Sequence, residues 1–160
     1  MMAAPAELGD KKRLQFEFGE DQYCVAEELE ELLEASTLAE TVRRAIGVTF
    51  RIVNDIFKNG ESAELVKDDV RISINDLLPG YFADSLPGAG GNKRRMQFDF
   101  SSRQLSQMEG LKQSLKIDTY SRIVRGVIYF TRFLYEKIKE GYAIDLVKGD
   151  ASRRIAFLGL

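Results

Sequence analysis

The chain contains no histidine and only one cysteine, Cys24, among its 160 residues. Without histidine, the usual histidine-containing zinc sites and histidine-based catalytic triads are excluded. A single cysteine cannot form a disulfide within the chain, as is typical of proteins from reducing compartments. No run approaches the length of about 18 apolar residues that a membrane span needs, and the first residues do not resemble a signal peptide. We therefore expect a soluble, cytoplasmic protein with no membrane partner.

An excess of positive charge is also missing. The net charge of −2 excludes a uniformly basic surface, so a polyanion could bind only at a local patch. The charges are unevenly spread: residues 11–58 hold seven bases and ten acids, whereas residues 93–139 hold eleven bases and four acids. The stretch 20–34 contains seven acids and no base. The second half of the chain is therefore predicted to be the main partner of any polyanion.

What the sequence does contain is an internal repeat. At an offset of 82 positions, residues 13–56 and 95–138 share 14 identities in 44 pairs. Unrelated segments of this length would share roughly three, so the pattern indicates a duplication. After a slip of one residue, "ELVKDD" at 64–69 matches "DLVKGD" at 145–150. The chain is therefore predicted to consist of two copies of one structural unit.

Each copy has the same order of predicted elements. "RLQFEF" and "RMQFDF" alternate between apolar and polar residues, as half-buried strands do. A short helix follows, from about Asp21 to Ala35 in the first copy, and then a longer helix. The N-cap of the longer helix is predicted at Ser36 or Thr37, and at the equivalent Asp118 or Thr119 in the second copy. The tails "AELVKDDVRISI" and "YAIDLVKGDASRRIAFL" have the pattern of β-hairpins.

A lone strand cannot pair with itself, and two short amphipathic helices cannot close a core. Two copies solve both problems if their strands pair antiparallel and their four helices pack together. The predicted fold class is α+β, mainly helical, with a two-stranded ribbon and a hairpin after each unit. The predicted divisions are a flexible N-terminus (1–10), unit one (11–60), a hairpin-like tail (61–78), a linker (79–92), unit two (93–141) and a second hairpin tail (142–160).

The order of strand, short helix and threonine-capped long helix resembles the ribbon-helix-helix family of DNA-binding proteins, to which the Arc and MetJ repressors belong. The resemblance covers about 44 residues of each unit. It implies an intrachain pseudo-dimer whose ribbon lies in the major groove of DNA and contacts bases through its outward side chains. It also implies that the start of each long helix contacts a phosphate.

The resemblance places the family's base-facing strand positions on Gln15, Glu17 and Gly19, and on Gln97, Asp99 and Ser101. Glutamine can bond adenine through N6 and N7, and a carboxylate can accept from cytosine N4 but repels phosphates. The predicted base-reading residues are Arg13, Gln15, Glu17, Arg95, Gln97 and Asp99. The predicted phosphate contacts are Lys11, Lys12, Thr37, Lys93, Arg94 and Thr119.

The sequence thus predicts a non-catalytic, sequence-specific double-stranded-DNA-binding protein that regulates transcription. No nucleophile with a base partner can be assembled, and no cofactor or metal site is predicted. The alternative is a protein-interaction module, such as an antitoxin or adaptor, that keeps the scaffold without reading DNA. In that case the acidic first helix or the hairpins are the expected partner surface. A second copy of the chain is a further expected partner, joined through the C-terminal strands.

Overall fold

The computed structural model describes residues 11–83 and 93–155. Within these ranges the chain is α+β and mainly helical, with five helices and two antiparallel sheets. The strands are β1 (Lys11–Gly19), β2 (Ser62–Lys67), β3 (Val70–Ser73), β4 (Lys93–Ser101), β5 (Ala143–Lys148) and β6 (Ala151–Ile155). The helices are α1 (Glu20–Leu33), α2 (Leu38–Asn59), α3 (Ile74–Tyr81), α4 (Ser102–Leu115) and α5 (Tyr120–Lys139). The predicted flexible N-terminus and most of the predicted linker lie outside the described residues.

Strands β1 and β4 pair antiparallel and form a two-stranded ribbon, the pairing that the repeat predicts. Gln15 lies opposite its repeat equivalent Gln97 at the centre, and the remaining pairs are symmetric about them. One face of the ribbon is apolar because side chains alternate along a strand. Its four phenylalanines are buried and contact one another edge-on or tilted, at Phe16, Phe18, Phe98 and Phe100. This face joins the ribbon to the helices.

The helices of the two halves pack against each other rather than only within a half. Helix α1 packs on α5, α4 packs on α2, and the long helices α2 and α5 contact each other. Where the long helices meet, the hydroxyl oxygens of Thr49 and Thr131 are 3.4 Å apart in a fully buried position. These threonines are also repeat equivalents. The core is therefore shared, and each half completes the core of the other.

Of the two residues predicted as possible N-caps of each long helix, the threonine is the cap in both cases. The side chain of Thr37 accepts from the backbone N–H of Glu40 at 3.0 Å, and that of Thr119 accepts from Arg122 at 3.3 Å. The first short helix starts one residue earlier than predicted and ends two residues earlier, at Leu33. Its C-cap, Glu34, adopts the left-handed conformation. Such a residue ends an α-helix, which the apolar spacing alone does not reveal.

The two predicted hairpins are present, but they form one sheet. Strand β2 pairs with β5, which gives a four-stranded antiparallel sheet of order β3-β2-β5-β6. Glu64 faces Asp145 at the centre, and each carboxylate bonds to an arginine of an outer strand, Arg71 at 2.8 Å and Arg154 at 2.8 Å respectively. The bond from Arg154 stabilises the charged carboxylate and so lowers the pKa of Asp145. Hairpin patterns do not specify which strand edges will join.

Helix α2 connects the ribbon to this sheet. In its second turn, Arg43 donates to the backbone carbonyl of Asp99 in β4 at 3.1 Å. Near its other end, the carboxylate of Asp55 is 3.6 Å from the guanidinium of Arg153 in β6. The ribbon and the four-stranded sheet therefore lie at opposite ends of the helical layer. None of the helices in the described ranges combines the length and the apolar character that crossing a bilayer requires.

Helix α3 was not predicted, because its Pro79-Gly80 pair is typical of a turn. It spans the end of the predicted tail and the start of the predicted linker. Ser73 caps the helix by accepting from the N–H of Asp76 at 3.2 Å, and Ile74 and Leu78 are buried on one face. The burial of this i,i+4 apolar pair outweighs the signal of the proline and glycine. Residues 79–81 of the predicted linker therefore belong to this helix.

The residue after α3, Phe82, packs against a glycine of α5 and provides a stability test. A Cβ added at Gly126 would lie 2.2 Å from the Phe82 ring, which is only 2 % exposed and cannot move aside. We expect Gly126→Ala to lower the free energy of unfolding by about 1–3 kcal/mol. Gly47 in α2 is the matched control because nothing lies within 4 Å of its added Cβ.

We expect Gly47→Ala to raise the free energy of unfolding by about 0.5–1 kcal/mol, since alanine is the better helix former. Urea unfolding monitored by circular dichroism measures both changes. Equal effects of the two substitutions would contradict the close packing of Phe82 on α5.

Candidate nucleic-acid interface

The outward face of the ribbon carries the predicted base-reading residues. Alternation places Gln15 and Gln97 on this face, and both are exposed. The flanking outward positions carry bases and acids, which are Lys11, Arg13, Glu17, Lys93, Arg95 and Asp99. All six predicted base-reading side chains therefore lie on one surface, which we call the outward ribbon face. At its two ends, Gly19 is buried and Ser101 is half-buried, and the side chain of Ser101 caps α4 by accepting from the backbone N–H of Gln104 at 3.2 Å.

The two central glutamines contact each other across the symmetric centre. The Nε2 of Gln97 donates to the Oε1 of Gln15 at 3.1 Å. An amide side chain has two donors and an acceptor with two lone pairs, so each glutamine retains groups for a further partner. The pair is therefore oriented by the ribbon itself and presents amide groups at the centre of the face.

Each acid of the ribbon faces an arginine of the opposite strand. Arg13 lies opposite Asp99, and Glu17 lies opposite Arg95. The Nε of Arg13 bonds to Oδ1 of Asp99 at 2.9 Å and its Nη2 bonds to Oδ2 at 3.3 Å. The bond from Arg13 stabilises the carboxylate and lowers the pKa of Asp99, while the same bond raises the pKa of Arg13. The acids of this face are thus offset by bases.

At the other end of the ribbon, the ionic contacts of Glu17 are longer. Its Oε1 is 3.9 Å from Nη2 of Arg95 and its Oε2 is 4.0 Å from Nζ of Lys93. Both distances exceed hydrogen-bonding range. The carboxylate of Glu17 therefore lies between two bases without a hydrogen bond to either of them.

The predicted phosphate contacts do not all lie on the outward face. Alternation puts Lys12 and Arg94 on the opposite side of the strands, at exposed strand ends. The guanidinium of Arg94 lies 4.0 Å from the centre of the Tyr23 ring in α1, a cation–π contact. Lys11 and Lys93 remain on the outward face, at its two ends. The two pairs of bases thus flank the ribbon on different sides.

An arginine that the sequence analysis did not single out, Arg43, lies beside the ribbon. Arg43 on α2 bonds to the backbone of β4, and Arg125 is its repeat equivalent on α5. A depression of about 330 Å³ next to Arg43 is also lined by Lys11, Asp99, Ser101 and Gln104. The signal that could have identified both arginines is their recurrence in the repeat. The depression brings two cations from separate elements to one end of the ribbon.

The starts of the two long helices differ chemically, although Thr37 and Thr119 are both exposed caps. At the start of α2, the carboxylate of Glu40 accepts from the backbone N–H of Ser36 at 2.8 Å and from its hydroxyl at 2.9 Å. These bonds lower the pKa of Glu40. The equivalent residue on α5 is Arg122, which donates to the backbone carbonyl of Phe82 at 2.6 Å. The carboxylate of Glu40 would compete with a phosphate for the start of α2. The start of α5 has no such carboxylate at the equivalent position and is therefore the more favourable of the two for binding an anion.

A separate groove of about 760 Å³ runs between α1 and the end of α5. Leu32, Tyr135 and Ile138 form its apolar part. Its charged rim consists mainly of acids, with Glu28, Glu31, Glu34, Glu136 and one base, Lys139. This groove lies on the acidic first helix that the sequence suggests as a protein-binding surface.

Within residues 11–83 and 93–155, no three acids or cysteines are grouped closely enough to hold a metal ion. Comparison of the chain with protein-family models, with curated proteins and with solved structures found no match. Function is therefore inferred from the residues of this chain alone.

The bond between Arg13 and Asp99 is directly testable. We expect the Asp99 carboxyl to titrate below the ordinary aspartate value of about 3.9. Arg13→Ala removes the donor that stabilises the charged form, so the pKa of Asp99 should rise toward that value. Nuclear magnetic resonance of the side-chain carboxyl carbon as a function of pH measures both values. Arg95→Ala is the control, because Arg95 faces Glu17 instead, and an Asp99 pKa that ignores the loss of Arg13 would contradict the pairing.

Proposed function

We propose that the chain is a non-catalytic, sequence-specific DNA-binding protein and a transcriptional regulator, built as a single-chain ribbon-helix-helix pseudo-dimer. The observation that supports this most is the symmetric ribbon of β1 and β4 with its exposed polar outward face. A two-stranded ribbon is one of the shapes that fit the major groove. The shared helical core beneath it accounts for the folding of two units in one chain.

The charge of the outward ribbon face supports DNA as the partner. The face carries four bases, Lys11, Arg13, Lys93 and Arg95, and two acids, Glu17 and Asp99. Each acid lies opposite an arginine, so neither carboxylate presents an unbalanced negative charge to phosphates. The balance of +2 is local and is compatible with the net negative charge of the whole chain.

The central glutamines and the flanking arginines supply the groups that recognise bases. Gln15 and Gln97 bond to each other, and in a complex they would offer their remaining groups to adenine N6 and N7. Arg13 and Arg95 lie two residues from them, one on each strand, on the same face of the ribbon. Because Gly19 and Ser101 differ at equivalent ends, the preferred DNA site is an imperfect palindrome.

Phosphate contacts are assigned to the bases that surround the face. Lys11, Lys12, Lys93 and Arg94 flank the strands, and Arg43 adds a cation beside Lys11. Of the two helix starts, that of α5 at Thr119 is the stronger proposal, because Glu40 occupies the equivalent position near Thr37. We also propose that two copies of the chain associate through β6, which is an edge strand of the four-stranded sheet.

The groove between α1 and α5 favours a second candidate function. Its apolar floor and acidic rim suit a basic segment of another protein. On this alternative the chain is an antitoxin or adaptor, and the ribbon serves only to hold the two halves together. The two functions differ in what the outward ribbon face contacts.

Salt-dependent binding separates the two functions. We expect the protein to bind mixed-sequence duplex DNA, and Lys93→Ala combined with Arg95→Ala to weaken binding about tenfold or more at low salt. Affinity should also fall steeply as salt is raised from 50 to 200 mM, since ~0.9 counterion is released per phosphate contact. Fluorescence anisotropy with a labelled duplex measures both effects.

Lys148→Ala is the matched control, because Lys148 is an exposed base at the end of β5, on the sheet remote from the ribbon. It should leave the affinity unchanged. Absence of binding at low salt, or equal losses in the control and the double variant, would exclude the ribbon as the DNA-binding surface and favour the protein-interaction alternative.

A further inference from the structure

The two ends of the ribbon have equivalent positions but different side-chain contacts. One end, which we call the clamped end, carries Arg13 opposite Asp99. The other, the open end, carries Arg95 opposite Glu17. A symmetric ribbon with identical contacts would offer the same groups at both ends. The difference therefore decides how each end can contact a base.

At the clamped end, the arginine is already engaged. Two bonds of 2.9 and 3.3 Å join the Nε and Nη2 of Arg13 to the two carboxylate oxygens of Asp99. The backbone of Asp99 is in turn held by Arg43 at 3.1 Å. Two parallel bonds between a guanidinium and a carboxylate fix the geometry of both groups. This edge of Arg13 is not available to a guanine.

At the open end, neither group is engaged in a hydrogen bond with the other. The Oε1 of Glu17 is 3.9 Å from Arg95. The side chains of Arg95 and Arg13 are equally exposed, at 66 % and 65 %, so the two ends differ in their contacts and not in the exposure of their arginines. A guanidinium in this state can donate two bonds to guanine O6 and N7, and a carboxylate can accept from cytosine N4. Both halves of a G·C pair thus find matching groups at this end.

We propose that the ribbon selects bases unequally: the open end recognises G·C pairs through Arg95 and Glu17, whereas the clamped end contributes affinity with little base selection. Asp99 is then a positioning residue that restrains Arg13. This inference rests on the proposed DNA-binding function. Arg95 and Glu17 then set the specificity, and they act in the half of the DNA site that the open end contacts.

Selection of binding sites from random duplexes tests the inference with two matched variants. Glu17→Gln and Asp99→Asn each replace a carboxylate by an amide of the same shape. The unsubstituted protein should select a site with a fixed G·C position in one half and weak preference in the other. In Glu17→Gln, discrimination at that position should fall roughly tenfold.

Asp99→Asn should act in the opposite direction. It weakens the restraint on Arg13, which then gains a guanine preference, so the selected site becomes more nearly palindromic while the open-end position is retained. Equal base preference in both halves of the site selected by the unsubstituted protein, or the same change from both variants, would overturn the inference even though DNA binding stands.

A measurement on the free protein keeps this outcome separate from failure of the proposed function. The Nε–H resonance of Arg13 should exchange with solvent more slowly than that of Arg95, and Asp99→Asn should abolish the difference. Equal exchange of the two would overturn the clamped and open ends directly. Slow exchange at Arg13 together with no binding to any duplex would instead overturn the proposed function, and with it the role in base selection.

Discussion

The antiparallel pairing of β1 with β4 is the constraint on which the other contacts between the two halves depend. A single strand leaves its backbone N–H and C=O groups unpaired, and the other copy of the strand supplies their partners. Pairing about Gln15 and Gln97 relates the two halves by an approximate twofold axis. Thr49 and Thr131 then meet in the core, and Glu64 and Asp145 meet in the far sheet. One axis therefore passes through the ribbon, the helices and the sheet.

This axis explains why an acid recurs at the same place in both strands. In an antiparallel pair centred on the two glutamines, a residue two positions before the centre faces the residue two positions after it. An arginine at the first position and an acid at the second are therefore always opposite each other. The repeated acid therefore faces the repeated arginine at both ends of the ribbon, although at one end the two are bonded and at the other they are 3.9 Å apart.

The sequence was sufficient to predict those features of the fold that depend on the repeat or on local side-chain chemistry. The paired strands, the buried phenylalanines and the threonine caps each follow a local pattern that occurs in both copies of the repeat, which makes the prediction from either copy stronger. Helix α3 could not be predicted, because the apolar contacts of Ile74 and Leu78 with distant elements outweigh the local effect of Pro79. The joining of β2 to β5 is likewise a tertiary event that neither hairpin encodes alone. For the site, the repeat specifies which residues face each other, but only the structure gives the contact lengths that distinguish Asp99 from Glu17.

Duplication within one chain also frees the two halves to differ, which a homodimer cannot do because each substitution appears twice. Glu28 pairs with Arg132 at 3.0 Å, whereas at the equivalent position the ring of Phe50 lies against Gly110. Glu40 at the start of α2 corresponds to Arg122 on α5, and the balance of charge differs between the halves in the same direction. These differences lie outside the pairs on the axis, which keep identical or similar residues. The contacts that hold the halves together are thus retained in both copies, while the side chains around them have diverged.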